Sequence, residues 1–488
     1  MSSVIGEERL LIDGLLRPAA SGATYETINP ATEEVLGVAA DAGREDVEAA
    51  ISAARRAFDE TDWSTNLAAR VAGLRQLHQA FLNHAEEIRA MTIAETGSPH
   101  MLTSSAQLDD PVRGIAWVAD AAESYEWESD LGRAEPLGIP SHRWIRREAT
   151  GVVAAISPWN VPHQINLAKL APALAAGNTV VLKAAPDTPW CASTLAHLIA
   201  SETDIPPGVV NVITSADPRV GEPLTIDPRV DQVSFTGSTS TGRLVMANAA
   251  ATVKKVFLEL GGKSAFVVLE DAELRGACGV AAFTVCTHAG QGCAITTRLL
   301  VHRSRFDEAV ELTAKTLEKL PAADPTDPGT VCGPLISARQ RERVEGYLRL
   351  AEEEGGSIVT GGGRPAEHER GFFISPTLIV GVGNDARVAQ EEIFGPVLVM
   401  IPHDGDEDAI RLANDSIYGL SGSVWSADRD RAVGVANALR SGTVGVNGGI
   451  WFSPDVPFGG YKQSGIGREM GTAGLEEYLE TKSIAEPA

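Results

Sequence analysis

The chain has 488 residues, enough for about three structural units at roughly 150 residues each, and a large apolar core needs no disulfide or metal to hold it. Its 44% hydrophobic and 22% charged fractions, with 48 Gly and 27 Pro, exclude collagen-like, mucin-like and wholly disordered chains. Sixty-five acidic against 41 basic residues leave a net charge of −24, a field that repels nucleic-acid phosphates and anionic membranes, so neither is expected as a partner.

The N-terminus, MSSVIGEERL, lacks a basic patch followed by an apolar run, and no stretch of about 18 uncharged apolar residues occurs, so the chain is read as neither exported nor membrane-spanning. Short apolar runs at 10–12 and 35–39, broken by Asp13-Gly14 and Asn29-Pro30, predict hairpin-rich β structure over 8–40. From 45 to 95 apolar residues recur at helical spacing, with an alanine face through Ala49, Ala50, Ala53, Ala54 and Ala57. The segment 125–147, with Trp127, Trp144 and Ile145, is read as the counterpart of a closing strand at 478–484.

Between 151 and 269, strand-like runs at 152–156, 179–182, 209–213, 232–235 and 265–269 alternate with helical stretches at 166–176 and 189–200. That alternation predicts a parallel α/β sheet. A second alternating block has helices at 304–320, 336–354 and 428–440 and strands at 298–302, 397–401, 421–425 and 443–446. The predicted fold class is therefore α/β, with two parallel-sheet domains.

The five cysteines (Cys191, Cys278, Cys286, Cys293, Cys332) are odd in number and lack CxxC or Cys/His spacing, so no disulfide framework and no metal site is expected and a reducing, cytoplasmic setting fits. Cys293 differs from the others in lying in Gly290-Gln291-Gly292-Cys293, where glycines let backbone and substrate approach the thiol. A small buried hydrophobe is the competing reading, and it is kept for the other four. A thiolate attacking a carbonyl needs oxyanion donors; Asn160, in Ser157-Pro158-Trp159-Asn160 after a buried strand, is one candidate, although Asn in that position also caps helices. Glu259, framed by Leu258 and Leu260 before Gly261-Gly262, is either a general base with a raised pKa or a strand-edge glutamate with its head in water. The run from Phe235 through Gly237-Ser238 to Gly242 follows a strand and opens a helix, a geometry able to receive a phosphate, yet no GxGxxG is present.

In order and spacing, Pro158-Trp159-Asn160, Phe235-Thr236-Gly237-Ser238-Thr239, Leu258-Glu259-Leu260-Gly261-Gly262-Lys263, Gly290-Gln291-Gly292-Cys293, Glu391-Glu392-Ile393-Phe394-Gly395-Pro396 and Pro457-Phe458-Gly459-Gly460 resemble the aldehyde dehydrogenase superfamily over nearly the whole chain. The resemblance implies a Rossmann-like cofactor domain (1–125 and 148–261), a catalytic domain (262–465) and a small β element for oligomerisation (126–147 and 466–488). It implies oxidation of an aldehyde to the acid, with Cys293 as nucleophile, Asn160 and the Cys293 N–H holding the oxyanion, and Glu259 activating the water that hydrolyses the thioester. Lys169 and Glu469 match positions associated with proton passage to that glutamate. Ile156, Ser157, Pro158, Trp159, Lys183, Gly237, Ser238, Glu392 and Phe394 match the NAD(P) site, and Val161, Ile165, Ala168 and Phe452 match the substrate tunnel. A homodimer or homotetramer is implied as well.

Two features bear on specificity. Pro186 stands where many relatives carry a ribose-binding glutamate, which removes the usual argument against NADP; NAD is still preferred because Lys183 is the only cation the sequence places near that ribose. The tunnel positions are small and apolar and no Arg occurs between Asn160 and Gly177, which favours a bulky apolar aldehyde over a charged one. The competing functions are a cofactor-independent cysteine hydrolase, with His163 or His288 as base, and a non-catalytic member of the fold.

Overall fold

In the computed structural model, which describes residues 6–488, five strands lie side by side and parallel: Lys255–Glu259, Gln232–Thr236, Val152–Ile156, Thr179–Lys183 and Val210–Ile213. They read as apolar runs because both faces are covered. Val153, Ala155, Val180 and Leu182 point into one core cluster, while Val152, Ala154 and Val181 point into another on the opposite face. The sheet grows to eight strands by antiparallel additions, Gly465–Ile466 at one edge and the hairpin Leu10–Ile12 and Leu15–Arg17 at the other.

The second sheet has seven strands in the order Ser357–Thr360, Thr377–Val380, Val397–His403, Thr296–His302, Ser264–Val268, Ser421–Trp425 and Thr443–Val446. All its pairings are parallel except the outermost, Ser357–Thr360. The run at 265–269, read from sequence with the first block, belongs to this second sheet, since the chain crosses over directly after Gly262. Glu128–Ala134, Ser141–Ala149 and Leu479–Pro487 form a separate antiparallel sheet, which joins the 125–147 segment to the closing strand as expected. Mixed α/β sheets of this kind are the predicted class.

Strand register places the functional segments in one row. Ile156 pairs with Lys183, Phe235 with Ile156 and Thr236 with Glu259, so the loops after four parallel strands open along the same carboxyl edge. Helix Pro162–Ala176 starts with Pro at its first turn and ends at Gly177, whose φ of 95° places it in the left-handed region. A Cβ there would stand 2.7 Å from Arg70 and 2.9 Å from the Ser64 carbonyl, so the position requires glycine on two counts.

Among the described residues no helix is long and apolar enough to cross a membrane. One buried cation ties the second sheet to its loops: Arg298 donates to the carbonyls of Lys263, Leu412 and Ala413 and to the Asn384 side chain, all at 2.7–2.9 Å. Removing it strands those acceptors in a dry interior. Arg298→Ala is expected to lower unfolding free energy by roughly 3 kcal/mol, read in denaturant titrations, and a loss below about 1 kcal/mol would show that water replaces the guanidinium.

Candidate active site

The strand Lys255–Glu259 ends on Glu259, which is 1% exposed, and the chain then turns through Gly261 and Gly262. Burial pushes the Glu259 carboxyl well above the ordinary carboxylate range, and the nearby Glu469 charge adds to the effect while Lys169 opposes it. Its Oε1 has no hydrogen-bond partner in the protein. The strand-edge reading with the head in water is thereby overturned. The Cys293 thiol faces this carboxylate; burial and then the Glu259 charge push the thiol well above its usual value.

Cys293 is the one cysteine that is partly exposed; Cys191, Cys278, Cys286 and Cys332 are buried, as expected of packing residues. Its loop follows the helix Leu274–Cys286 and runs through three successive residues at positive φ, His288 (48°), Ala289 (51°) and Gly290 (72°). A Cβ on Gly290 would meet the Gly395 carbonyl at 2.1 Å, which fixes the Cys293 loop against the loop bearing Glu392 and Phe394. The strain is held by Gln291, fully buried, whose side chain donates to the His288 and Pro334 carbonyls and accepts from the Ile336 N–H at 2.9 Å.

Asn160 is buried and does not cap the following helix, which begins two residues later. Its Nδ2 donates to the Gln291 carbonyl at 2.9 Å, and its own carbonyl accepts from Gln107 Nε2 at 2.8 Å. The amide is thus aimed at the Cys293 loop by groups 131 and 53 residues away. Lys169 and Glu469, which as isolated surface residues would be solvated, form a buried ion pair at 2.7 Å; Lys169 also donates to Ser234 Oγ at 3.1 Å and lies over the Phe257 ring.

A cleft of about 440 Å³ collects Pro158, Trp159, Asn160, Gly237, Ser238, Glu259, Cys293, Glu392 and Phe394. Ser238 caps the helix Thr239–Ala249 by accepting from Thr241 N. Glu392 Oε1 accepts from Gly262 N at 2.9 Å, burial raises its carboxyl above the ordinary value, and the Phe394 and Trp159 rings meet edge to face at 5.4 Å. Ile156, Ser157 and Lys183 stand at or just after the strand ends and are not among the residues lining this cleft; burial lowers the Lys183 ammonium to about 8. Ala168 and Phe452 line a separate apolar groove, whereas Val161 and Ile165 do not.

Sequence reasoning missed Gln107, Gln291, Arg339, Gln340 and Arg343. The last three share the first turns of helix Ala338–Glu353, and their spacing was the available signal. Gln340 donates to the Phe394 carbonyl at 2.8 Å and Arg343 to those of Glu392 at 2.5 Å and Ile393 at 3.2 Å. Arg339 lines the cleft and acts electrostatically on Asp187, as Lys183 does, which corrects the expectation that Lys183 is the only cation in that region. His163 and His288 do not line the cleft, and burial lowers each to about 4. Neither is placed to serve Cys293 as base, so the hydrolase reading loses its catalytic pair. Among the described residues no three His, Cys, Asp or Glu side chains gather to hold a metal ion.

These features define an α/β enzyme with a thiol and a desolvated carboxylate at the end of a parallel sheet, opening on a cleft with two arginines. The sequence pattern of the aldehyde dehydrogenase family matches residues 17–484, and the chain belongs to that family. It is 42% identical over 478 residues to a 3-succinoylsemialdehyde-pyridine dehydrogenase from a Pseudomonas species, covering 97% of each chain, and 39% identical over 481 residues to a putative aldehyde dehydrogenase of Bacillus subtilis, covering 98% of this chain and 95% of the other. Among solved structures, a Mycobacterium tuberculosis aldehyde dehydrogenase complexed with NAD+ superposes with a TM-score of 0.94 at 41% identity, covering 98% and 97% of the two chains. A Staphylococcus aureus betaine aldehyde dehydrogenase in complex with NAD+ gives 0.95 at 36% identity, covering 99% of this chain and 95% of that one.

Because burial raises the folded Glu259 pKa above its unfolded value near 4.5, the folded state holds the proton to higher pH, and the contribution to stability is present below that value and lost as pH rises. Wild type is expected to lose melting temperature relative to Glu259→Gln as pH rises from about 4.5 toward neutral. A constant difference across that range would contradict the assignment.

Proposed function

We propose that the protein oxidises an aldehyde to its carboxylic acid with NAD as hydride acceptor, through covalent intermediates on Cys293. The observation that carries the reading is the convergence of Cys293, Glu259 and Asn160 on one cleft. The cleft suits a dinucleotide: Gly237 and Gly261 leave space where a Cβ would strike Phe235 or Glu392, the helix after Ser238 presents its N-terminus, and Arg339 and Arg343 supply positive charge to an otherwise acidic protein. Ser238, Glu392 and Phe394 would hold NAD there, and when bound it accepts the hydride.

Cys293 Sγ attacks the aldehyde carbon as its proton passes toward Glu259. The Asn160 Nδ2 hydrogen not given to the Gln291 carbonyl and the Cys293 backbone N–H stabilise the oxyanion of the thiohemiacetal. After hydride departure Glu259, backed by the Lys169–Glu469 pair as a route for the proton, takes a proton from water, which hydrolyses the thioester. Loss of that carboxylate stops turnover at the acyl enzyme.

The apolar lining of the groove that holds Ala168 and Phe452 supports an apolar aldehyde as substrate; a bulky one, such as the pyridine-bearing substrate named for the 42% identical relative, requires a wall of the groove to move. Asp187 supports NAD over NADP: its carboxylate interacts electrostatically with Lys183 and Arg339 and offsets the charge a 2′-phosphate would seek. The open edge of Leu479–Pro487 and the exposed Leu137 and Ile139 support a homodimer or homotetramer. A required free thiol among five unpaired cysteines supports the cytoplasm.

With citronellal and NAD, Cys293→Ala is expected to form no reduced nicotinamide and Asn160→Ala to lose roughly a hundredfold to a thousandfold in kcat. Glu259→Gln is expected to release one equivalent of reduced nicotinamide per site and then stall; full turnover by that variant would remove Glu259 from deacylation. Asp187→Asn is expected to raise the NADP to NAD ratio of kcat/KM by about tenfold, corresponding to roughly 1.4 kcal/mol, and an unmoved ratio would take Asp187 out of cofactor choice.

A further inference from the structure

We propose that Met470 is the movable wall of the apolar groove and selects which aldehydes the enzyme takes, admitting branched or aromatic tails when its thioether swings aside. The inference rests on the function proposed above. The groove is lined chiefly by Trp117, Gln164, Ala168, Phe452, Met470 and Leu475, and its free volume is only about 40 Å³. That is room for a water or a methyl group, an order of magnitude short of what a branched or aromatic tail needs. One wall has to yield for such a tail to enter.

The walls differ in what holds them. Trp117 stands on the helix Asp109–Ser124, Gln164 and Ala168 on Pro162–Ala176, and Leu475 is buried in the core between these elements. Met470 is half-buried, has three rotatable side-chain bonds, and its sulfur receives one weak contact, from Gln164 Nε2 at 3.7 Å. Moving it costs little on the side-chain level.

Its backbone is the opposite. Met470 has φ 62° and ψ 168°, a conformation open essentially to glycine alone. It is kept there from both sides: Glu469 and Phe458 exchange two backbone hydrogen bonds at 2.7 Å, and Gly471 N donates to the Pro454 carbonyl at 2.9 Å. A glycine would adopt this backbone without strain, yet the chain carries a flexible thioether and aims it into the groove. The adjacent residue, Glu469, is the one paired with Lys169 behind Glu259. The wall of the groove and the proton route therefore share one rigid segment, and the movement falls to the side chain.

The test compares Met470→Ala and Met470→Gly with wild type, using citronellal as the branched aldehyde and propanal as the short one. Both variants open the groove, and the glycine variant also releases the backbone strain, so it folds at least as well as wild type. The ratio of kcat/KM for citronellal over propanal is expected to rise roughly tenfold in both, through a lower KM for citronellal. A ratio within twofold of wild type in both variants, or a change confined to kcat, would overturn the assignment. Wild type that oxidised neither aldehyde would overturn the proposed function and this inference together, whereas wild-type turnover with an unmoved ratio would overturn this inference alone.

Discussion

Everything in the site depends on holding one carboxylate, Glu259, out of water and against a thiol. An ionised carboxylate in a dry interior is strongly disfavoured, which makes Glu259 a stronger proton acceptor than an ordinary carboxylate. That reluctance is useful twice: the carboxyl can receive a proton from Cys293, and later it is basic enough to take one from water. The buried Lys169–Glu469 pair behind it supplies a cation close enough to moderate the cost. Carboxylate, thiol and ion pair come from the end of a strand, a strained loop, a helix and the C-terminal segment, so the fold as a whole sets their spacing.

Positioning falls to residues that do no chemistry themselves. Gln291 spans the Cys293 loop and the Asn160 side chain, Gln107 holds the Asn160 backbone, and Arg343 and Gln340 hold the loop of Glu392 and Phe394. Two consecutive non-glycine residues at positive φ before Cys293, His288 and Ala289, store strain that this network restrains. A rigid frame of that kind keeps the thiol, the amide and the carboxylate within the small tolerances that covalent catalysis demands.

Much of this was legible in the sequence, for identifiable reasons. Parallel strands covered on both faces are continuous apolar runs, which is why 152–156 and 421–425 coincide with Val152–Ile156 and Ser421–Trp425. Glu259 announced its burial through Leu258 and Leu260, and Cys293 its accessibility through flanking glycines. The edge strand Ser357–Thr360 and its neighbour Thr377–Val380 were not anticipated, nor was the helix Asp109–Ser124, whose Pro111 and Gly114 interrupt the expected pattern. Local pattern also could not reveal pairings across the chain: Lys169 meets Glu469 at a separation of 300 residues, and Arg339, on the helix Ala338–Glu353, acts electrostatically on Asp187.

The coupling between Glu259 and Cys293 is the central claim, and the pH dependence of Cys293 alkylation tests it most directly, since the other four cysteines are buried. The iodoacetamide rate profile of Glu259→Gln is expected to move to lower pH than that of wild type, because removing the carboxylate removes a charge that raises the thiol pKa. Coincident profiles would show that the thiol does not sense the carboxylate, and the account of the site would fail.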